Sequence, residues 1–424
     1  MRTSRYRWYV VVVFFLFVLL HQADKLLISP LTGRIIDEFG ITKTQMGAVS
    51  TAALVVAAIL YPVWGYLYDR YARAKLLALA SFIWGSTTWL NALAPTYRTF
   101  LLTRASTGID DSSYPGMYSL LADYFGPRMR GKVYGIIQFA QPIGFLLGII
   151  LATMLAGTLG WRSVFYITGS LGIVVAVLIF FGVREPKRGA AEPEMVGADA
   201  IASPRFNKEV ALGLLKKRSF LLLLAQGFFG VFPWQVLTFW FMLYLTQERG
   251  YSDNWAMLTM MVAVLALSAG YFVGGSVGDY FFRRTPRGRA LTAMAGVLAG
   301  TVFLLITLNV PVDQKVLFIF PLALTGLTMS VASPNVIATV QDVAEPEVRG
   351  TAQAIMSLAD NIGAALAPLI AGIIADRWSL HVAILSICVA TWLVCAVFFG
   401  VVALLVPRDV AQLRETMRAR AERV

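Results

Sequence analysis

The sequence predicts an all-α polytopic membrane protein whose twelve transmembrane helices form two six-helix bundles. Of its 424 residues, 58% are hydrophobic and 14% are charged, whereas about 25% of residues are charged in an average soluble domain. Apolar runs of about 20 residues recur along the chain, each long enough to cross a hydrocarbon core of about 30 Å. Because these runs are continuous rather than alternating, they favour helices over a β-barrel.

Twelve such spans are predicted in order along the chain. Their centres lie near residues 19, 57, 86, 112, 145, 173, 230, 267, 299, 328, 362 and 393. The first span follows Arg2, Arg5 and Arg7, as a signal peptide would, but no small-residue cleavage site comes after it. We therefore expect this span to be retained as a transmembrane helix.

The net charge of +12 comes from basic residues that fall in every second predicted loop. This alternation is the positive-inside pattern of a membrane protein rather than a nucleic-acid surface. It predicts that both termini are cytoplasmic and that nucleic acid is not a partner, and the brief loops favour a prokaryotic inner membrane. Cys388 and Cys395 lie within the last span as small apolar side chains, so no disulfide, metal or other cofactor is predicted. We expect a monomer surrounded by membrane lipids.

A polar stretch near the middle divides the spans into two groups of six. It predicts an N-terminal bundle at 1–184, a cytoplasmic linker at 185–217, a C-terminal bundle at 218–407 and a cytoplasmic tail at 408–424. Two sets of residues recur between the halves. The first relates Gly65-x-x-x-Asp69 to Gly275-x-x-x-Asp279, and the second relates Asp123, Arg130, Gly131 and Gly144 to Asp342, Arg349, Gly350 and Gly363. The halves are therefore interpreted as duplicated units.

The segment GYLYDRYARAK at 65–75 resembles the signature between spans 2 and 3 of the major facilitator superfamily of secondary transporters. A weaker copy, GGSVGDYFFRR, stands at 274–284. Together with the twelve spans, the linker and the repeat, the resemblance covers the whole chain. It implies the major facilitator fold, in which two six-helix bundles rock about a central site to give alternating access.

Within the superfamily, the chain is most similar to the Spinster-like transporters. Their Asn-x-x-Asp-Arg element of span 1 is matched by His21-x-x-Asp24-Lys25, and their Arg-x-x-x-Gly-x-x-Glu-Ala-Ser-Tyr element of span 4 by residues 104–114. Their span 6 ends in Arg-Glu-Pro-x-Arg-Gly, matched at 184–189. The departures of this chain from that family include His21, Lys25, Asp110 and Asp111. Organic-anion and sugar-acid symporters share a similar span 1 and the WRSVFY start of span 6 at 161–166.

Span 4 carries two adjacent carboxylates near its middle, where a charge costs at least about 2.5–3.5 kcal/mol. On a continuous helix, Arg104, Gly108 and Asp111 share one face, whereas Asp110 points about a quarter-turn away. Asp111 is therefore the better candidate to face a cavity. In span 1, the spacing of His21, Asp24 and Lys25 brings the three side chains together.

A buried carboxylate beside a cation can bind and release a proton, because burial favours its neutral form and the cation its ionised form. The resemblance implies that Asp24 and Asp111 respond to protons and that Arg104 contacts an anionic head group. Asp360 in span 11 is a third proton candidate, and Gln141 is its repeat mate in span 5. The predicted substrate contacts are Arg104, His21, Lys25, Asp110, Tyr114 and Gln141. Alternatively, Asp24 with Lys25 or Asp111 with Arg104 are neutralising pairs that fix helix packing.

Charged residues at the predicted cytoplasmic helix ends are candidates for a gate that latches the two bundles. The candidates are Asp69, Arg70, Arg73, Asp123 and Arg130. The alternative is that the arginines merely enforce topology, which leaves Asp69 unexplained.

These observations predict a secondary active transporter, proton-coupled by symport or antiport, that moves an amphipathic or organic anionic solute such as a lysolipid. A small carboxylate or sugar-acid symporter is the alternative, and a hydrophobic drug exporter is a third. An enzyme is not predicted, since the chain has two histidines and no glycine-rich phosphate loop. A channel and a transport-dead sensor remain open.

Overall fold

The computed structural model describes residues 2–111, 113, 115–125, 127–187, 215–344 and 349–421, with some side chains inside these ranges left undescribed, among them those of Asp69 and Arg130. Tyr114 and most of the predicted linker lie outside the described residues. The chain forms two compact units, Met1–Pro204 and Arg205–Val424. Each unit is built almost entirely from helices.

The described residues of the first unit form eight helices. They are α1 (Arg2–Phe39), α2 (Lys43–Arg70), α3 (Arg73–Leu93), α4 (Tyr97–Ser106), α5 (Gly108–Asp111), α6 (Pro115–Tyr124), α7 (Pro127–Leu159) and α8 (Trp161–Gly182). The closest pairs are α1 with α7 and α3 with α8. Glycines make these contacts possible: a Cβ placed at Gly148 of α7 would lie 2.2 Å from the carbonyl oxygen of Ala23 in α1.

The second unit contains seven described helices. They are α9 (Arg218–Leu243), α10 (Asp253–Phe282), α11 (Gly288–Asn309), α12 (Lys315–Met329), α13 (Ala332–Val343), α14 (Arg349–Arg377) and α15 (Leu380–Ala421), with a π-helical turn at Tyr244–Glu248 after α9. Helix α9 packs against both α14 and α15. Helix α15 continues past residue 407, the predicted end of the bundle, and Val410 is buried in the core of the unit.

Eleven stretches of the described residues are long and apolar enough to cross a membrane. The prediction of an all-helical membrane protein agrees with these stretches. The expectation of one continuous helix through span 4 is wrong, because that span is divided into α4, α5 and α6. Span 10 is likewise divided, into α12 and α13. The buried cysteines Cys388 and Cys395 are free, and both lie in α15.

Candidate functional site

The break in span 4 sets the geometry of the candidate site. Helix α4 ends at Ser106, α5 is a single turn, and α6 begins at Pro115. Proline has no N–H, so Pro115 cannot donate to the carbonyl of Asp111 and cannot continue α5 as a regular helix. Gly108 lets α5 lie against α2, since a Cβ at this position would be 2.1 Å from the carbonyl oxygen of Ala53. The broken turn presents two consecutive side chains to the same neighbour.

That neighbour is His21 of α1. Its Nε2 atom lies 2.7 Å from Oδ2 of Asp110 and 3.4 Å from Oδ1 of Asp111. His21 and Asp110 are both buried, with 3% of each side chain exposed. The prediction that Asp110 points away from the site is therefore wrong, because it assumed that adjacent residues diverge as they do on a continuous helix.

Lys25 completes this part of the site. Its Nζ atom lies 2.9 Å from Oδ1 of Asp111, the same oxygen that His21 approaches. The side chain of Lys25 is 38% exposed and that of Asp111 is 17% exposed. Among the site's ion-paired residues, Lys25 is the cation that a solute can reach most readily.

The second acid–base pair lies one turn along α1. Asp24 is buried, and its Oδ1 accepts a hydrogen bond of 2.9 Å from Thr168 of α8. Its Oδ2 lies 3.4 Å from the hydroxyl of Thr88 in α3 and 3.9 Å from Nη1 of Arg104 in α4. The carboxylate of Asp24 therefore joins α1 to three other helices of the first unit.

The pairing differs from both neutralising pairs considered for the sequence. Asp24 is near Arg104 rather than paired with Lys25, and Lys25 pairs with Asp111. The pairing depends on the relative heights of α1, α4 and α5, which residue spacing within one helix does not define. Thr88 and Thr168 were missed because a hydroxyl within an apolar span has no distinctive pattern.

His21, Asp110 and Asp111 are also of the types that bind metal ions, and their ligand atoms lie within 4.8 Å of one another. The ammonium of Lys25 already contacts Asp111. A metal ion bound there would face this positive charge at close range. The donor set is therefore better explained as an ion-paired cluster than as a metal site.

The remaining predicted contacts are not part of this cluster. Gln141 is exposed on α7, and Tyr114 lies outside the described residues. Asp360 belongs to the second unit, where it is half-buried on α14 with Oδ1 against Gly227 of α9. A Cβ at that glycine would lie 2.3 Å from this carboxylate oxygen.

Two of the predicted gate residues form a buried ion-paired group at the start of α3. Arg73 is 3% exposed, and its Nη2 atom lies 2.6 Å from Oδ2 of Asp123 in α6. It also donates a 2.8 Å hydrogen bond to Glu185, which the sequence analysis did not single out although it lies in the quoted span 6 element. Arg70 is exposed and contacts the hydroxyl of Tyr66. The group thus ties α3, α6 and the segment after α8 together.

The second unit has a related but more exposed ion-paired group. The Nη2 atom of Arg289, at the start of α11, lies 2.7 Å from Oδ1 of Asp279, and Arg289 also pairs with Asp342. Asp279 and Asp342 are the repeat mates of Asp69 and Asp123. The pair of Arg73 with Asp123 therefore has a counterpart in the pair of Arg289 with Asp342.

Comparison with known proteins agrees with this architecture. The family model of the Major Facilitator Superfamily matches residues 13–368 and 312–421. Protein spinster homolog 1 of Xenopus tropicalis is 26% identical over 391 residues, covering 87% of this chain and 73% of the relative. The Hexuronate transporter of Bacillus subtilis (strain 168) is 26% identical over 383 residues, covering 86% of this chain and 88% of the relative.

Solved structures share the fold. A bacterial homolog to the human lysosomal transporter Spinster, in an inward-facing and occupied conformation, superposes with a TM-score of 0.77 at 19% identity, covering 95% of this chain and 97% of that chain. The nucleoside transporter NupG (D323A mutant) gives a TM-score of 0.73 at 14% identity, covering 95% and 99%. The resemblance stated from the sequence is confirmed, and the relatives are transporters rather than enzymes. The chain belongs to the major facilitator superfamily of membrane transporters, with the Spinster proteins among its relatives.

Proposed function

We propose that this chain is a secondary active transporter that couples protons to the movement of an amphipathic or organic anionic solute, lysolipid-like in chemistry, by alternating access. The observation that carries the proposal is the buried acid–base cluster of the first unit. In it Asp111 pairs with Lys25, while Asp24 is held by Thr168 near Arg104. Such groups are expensive inside a membrane and are typical of ion and substrate pathways.

The pairing of Lys25 with Asp111 supports a simple coupling step. An anionic head group that binds the partly exposed Lys25 draws the ammonium away from Asp111. Loss of the cation from beside a carboxylate in a low-dielectric site favours proton uptake by the cluster that holds the carboxylate. Anion binding and proton uptake would then favour each other, and release of the proton would favour release of the anion.

The substrate class has a second candidate. The similarity to the Hexuronate transporter of Bacillus subtilis covers 88% of that protein, which favours a sugar acid. A sugar carboxylate would use the same ammonium of Lys25. A lysolipid additionally requires space for an acyl chain. Transport of a sugar acid and transport of a lysolipid therefore distinguish the two candidates.

The other predicted roles complete the proposal. Asp360 is proposed as a further proton-responsive group in the second unit. A gating role is proposed for Asp69, Arg70, Arg73, Asp123 and Arg130, on the resemblance to the superfamily; the described contact of Arg73 with Asp123 lies within the first unit. We further propose a monomer in a prokaryotic cell membrane with both termini cytoplasmic, as the distribution of basic residues indicates.

The test is uptake into proteoliposomes of two labelled probes, glucuronate and a lysophospholipid, with the membrane potential clamped at zero. A gradient of one pH unit supports about tenfold accumulation for each proton carried per solute, since 1.36 kcal/mol is one decade. Asp24→Asn and Asp111→Asn are each expected to abolish accumulation above equilibrium.

Asp313→Asn serves as the matched control, because Asp313 is exposed in the segment before α12. It should accumulate the probe as wild type does. Full accumulation by both Asp24→Asn and Asp111→Asn would show that the proton assignment is wrong, and uptake without saturation would indicate a channel.

A further inference from the structure

We propose that His21 is a reserve counter-ion: when an anionic solute draws Lys25 away from Asp111, His21 takes the proton it shares with Asp110 and becomes the positive partner of Asp111. The inference rests on the anion transport proposed above. It assigns His21 and Asp110 a role in charge compensation rather than in direct contact with the solute.

The geometry places one ring nitrogen between two carboxylates. Nε2 of His21 is at 2.7 Å from Asp110 and 3.4 Å from Oδ1 of Asp111, and that same oxygen is 2.9 Å from Nζ of Lys25. The imidazole and the ammonium therefore both lie near the same acceptor atom, Oδ1 of Asp111. If Lys25 leaves, a charged imidazole is already in place to replace it.

The ring of His21 is held in this position by two aromatic neighbours. It stacks on Phe17 of α1 at a centroid distance of 5.8 Å and meets the edge of Trp84 from α3 at 5.2 Å. Because the ring is packed on these sides and buried, its nitrogen stays near the two carboxylates. A change of partner needs a shift of the proton and a small movement of Asp111, not a swing of the histidine.

Asp110 is suited to hold the proton until it is needed. It is 2% exposed, and its Oδ1 atom has no hydrogen-bond partner among the described residues. A buried carboxylate with an unpartnered oxygen is poorly stabilised as an anion. The proton is therefore expected on Oδ2, in the 2.7 Å hydrogen bond to His21.

The charge balance of the cluster also favours a proton shared between His21 and Asp110. Three carboxylates, Asp24, Asp110 and Asp111, face two permanent cations, Lys25 and Arg104. One additional proton makes the sum zero, which a low-dielectric site favours. Held between His21 and Asp110, that proton neutralises the resting cluster.

The surrounding helices contribute groups that leave this balance unchanged. Tyr61 of α2 interacts electrostatically with Lys25. Trp84 and Thr88 come from α3 and Thr168 from α8. Helix α7 approaches α1 at this depth with glycine, at Gly144 and Gly148.

The proposed step is a single proton transfer. The O–H bond of Asp110 breaks and an N–H bond forms at Nε2 of His21, so that the imidazole becomes an imidazolium between two carboxylates. The total charge of the cluster is unchanged by the transfer. The incoming anion adds one negative charge, and a proton from solvent then neutralises Asp110 again, which is the coupled proton.

The test removes the ammonium instead of adding a solute, so it needs no identified substrate. The chain has two histidines, His21 and His381, and ¹⁵N-histidine labelling in nanodiscs therefore gives two imidazole signals, assigned with His381→Gln. In wild type near neutral pH, His21 should show one protonated nitrogen. In Lys25→Met, it should show two, with His381 unchanged.

Matched variants test whether loss of the Lys25 ammonium is what causes His21 to become protonated. Lys187→Met removes an exposed lysine of the same unit and should leave His21 neutral. Lys25→Met combined with Asp111→Asn should restore the neutral ring, because no unpaired carboxylate remains. Lys25→Gln replaces Lys25→Met if the latter does not fold.

A neutral His21 in both Lys25 variants would overturn the proposal, as would a protonated ring that persists in the double variant. The spectra do not depend on transport. A protonated His21 in a protein that fails the uptake test would leave the counter-ion in place and refute the transport function, so the two failures are distinguishable.

Discussion

The contact between α7 and α1 allows a quantitative prediction for Gly148→Ala. A Cβ at Gly148 would lie 2.2 Å from the carbonyl oxygen of Ala23, whereas carbon–oxygen contacts settle at about 3.3–3.6 Å. The helices must therefore separate locally by about 1 Å. Because the obstructing atom belongs to the backbone, no side-chain rotation relieves the clash, and overpacking of this kind costs about 1–3 kcal/mol.

Gly157→Ala on the same helix is the matched control. A Cβ at Gly157 meets no atom within 4 Å. Alanine gains about 0.5–1 kcal/mol over glycine in a helix, and this gain applies to both variants. The difference between them therefore isolates the clash, with Gly148→Ala less stable by about 1–3 kcal/mol.

The assay is unfolding in mixed micelles with increasing SDS, followed by circular dichroism, which gives the free energy of unfolding for each variant. Equal values for Gly148→Ala and Gly157→Ala, within about 0.5 kcal/mol, would refute the packing argument. Ala23 precedes Asp24, so the same displacement should also weaken gradient-driven uptake of the probe. Gly157→Ala should transport normally.

Three further predictions use the same assays. Arg73→Met leaves two carboxylates without their buried cation and should lower the free energy of unfolding by about 3–5 kcal/mol; a loss no larger than that of the exposed Arg70→Met would contradict the ion-pair assignment. Thr168→Val removes a hydrogen bond to the charged Asp24 and should cost about 1.5–3 kcal/mol, and an unchanged free energy of unfolding would refute this. Lys25→Gln should raise the KM for whichever anionic probe is transported, and an unchanged KM would exclude Lys25 from binding the anion.

Helix geometry explains the part of the site that His21 and Lys25 form, whereas Asp24 of the same helix contacts Thr168, Thr88 and Arg104 instead. His21 and Lys25 are one helical turn apart, and both contact Asp111. Such a relation within α1 follows from helix geometry. By contrast, the approach of Arg104 to Asp24 depends on how far α4 is displaced along α1, and this register between helices has no local sequence signal.

The break within span 4 did have a signal. Gly108 and Pro115 bracket the two carboxylates, and proline disfavours the helical conformation in the residue before it. Hydropathy averages over a window longer than this turn, so the span appears continuous. The break matters for the proposed function because it brings Asp110 to His21.

The two units have similar ion pairs at their helix ends but different side chains at mid-span. This difference explains how one fold can hold different chemistry in its two halves. At one end of each unit an arginine, Arg73 or Arg289, bridges two carboxylates. At the other end Glu38 contacts the start of α8, and Glu248 accepts hydrogen bonds from the first backbone N–H groups of α15. These contacts fix helix ends and place no demand on the side chains at mid-span. The first unit can therefore hold a charged cluster there, while the second places Asp360 against a glycine of α9.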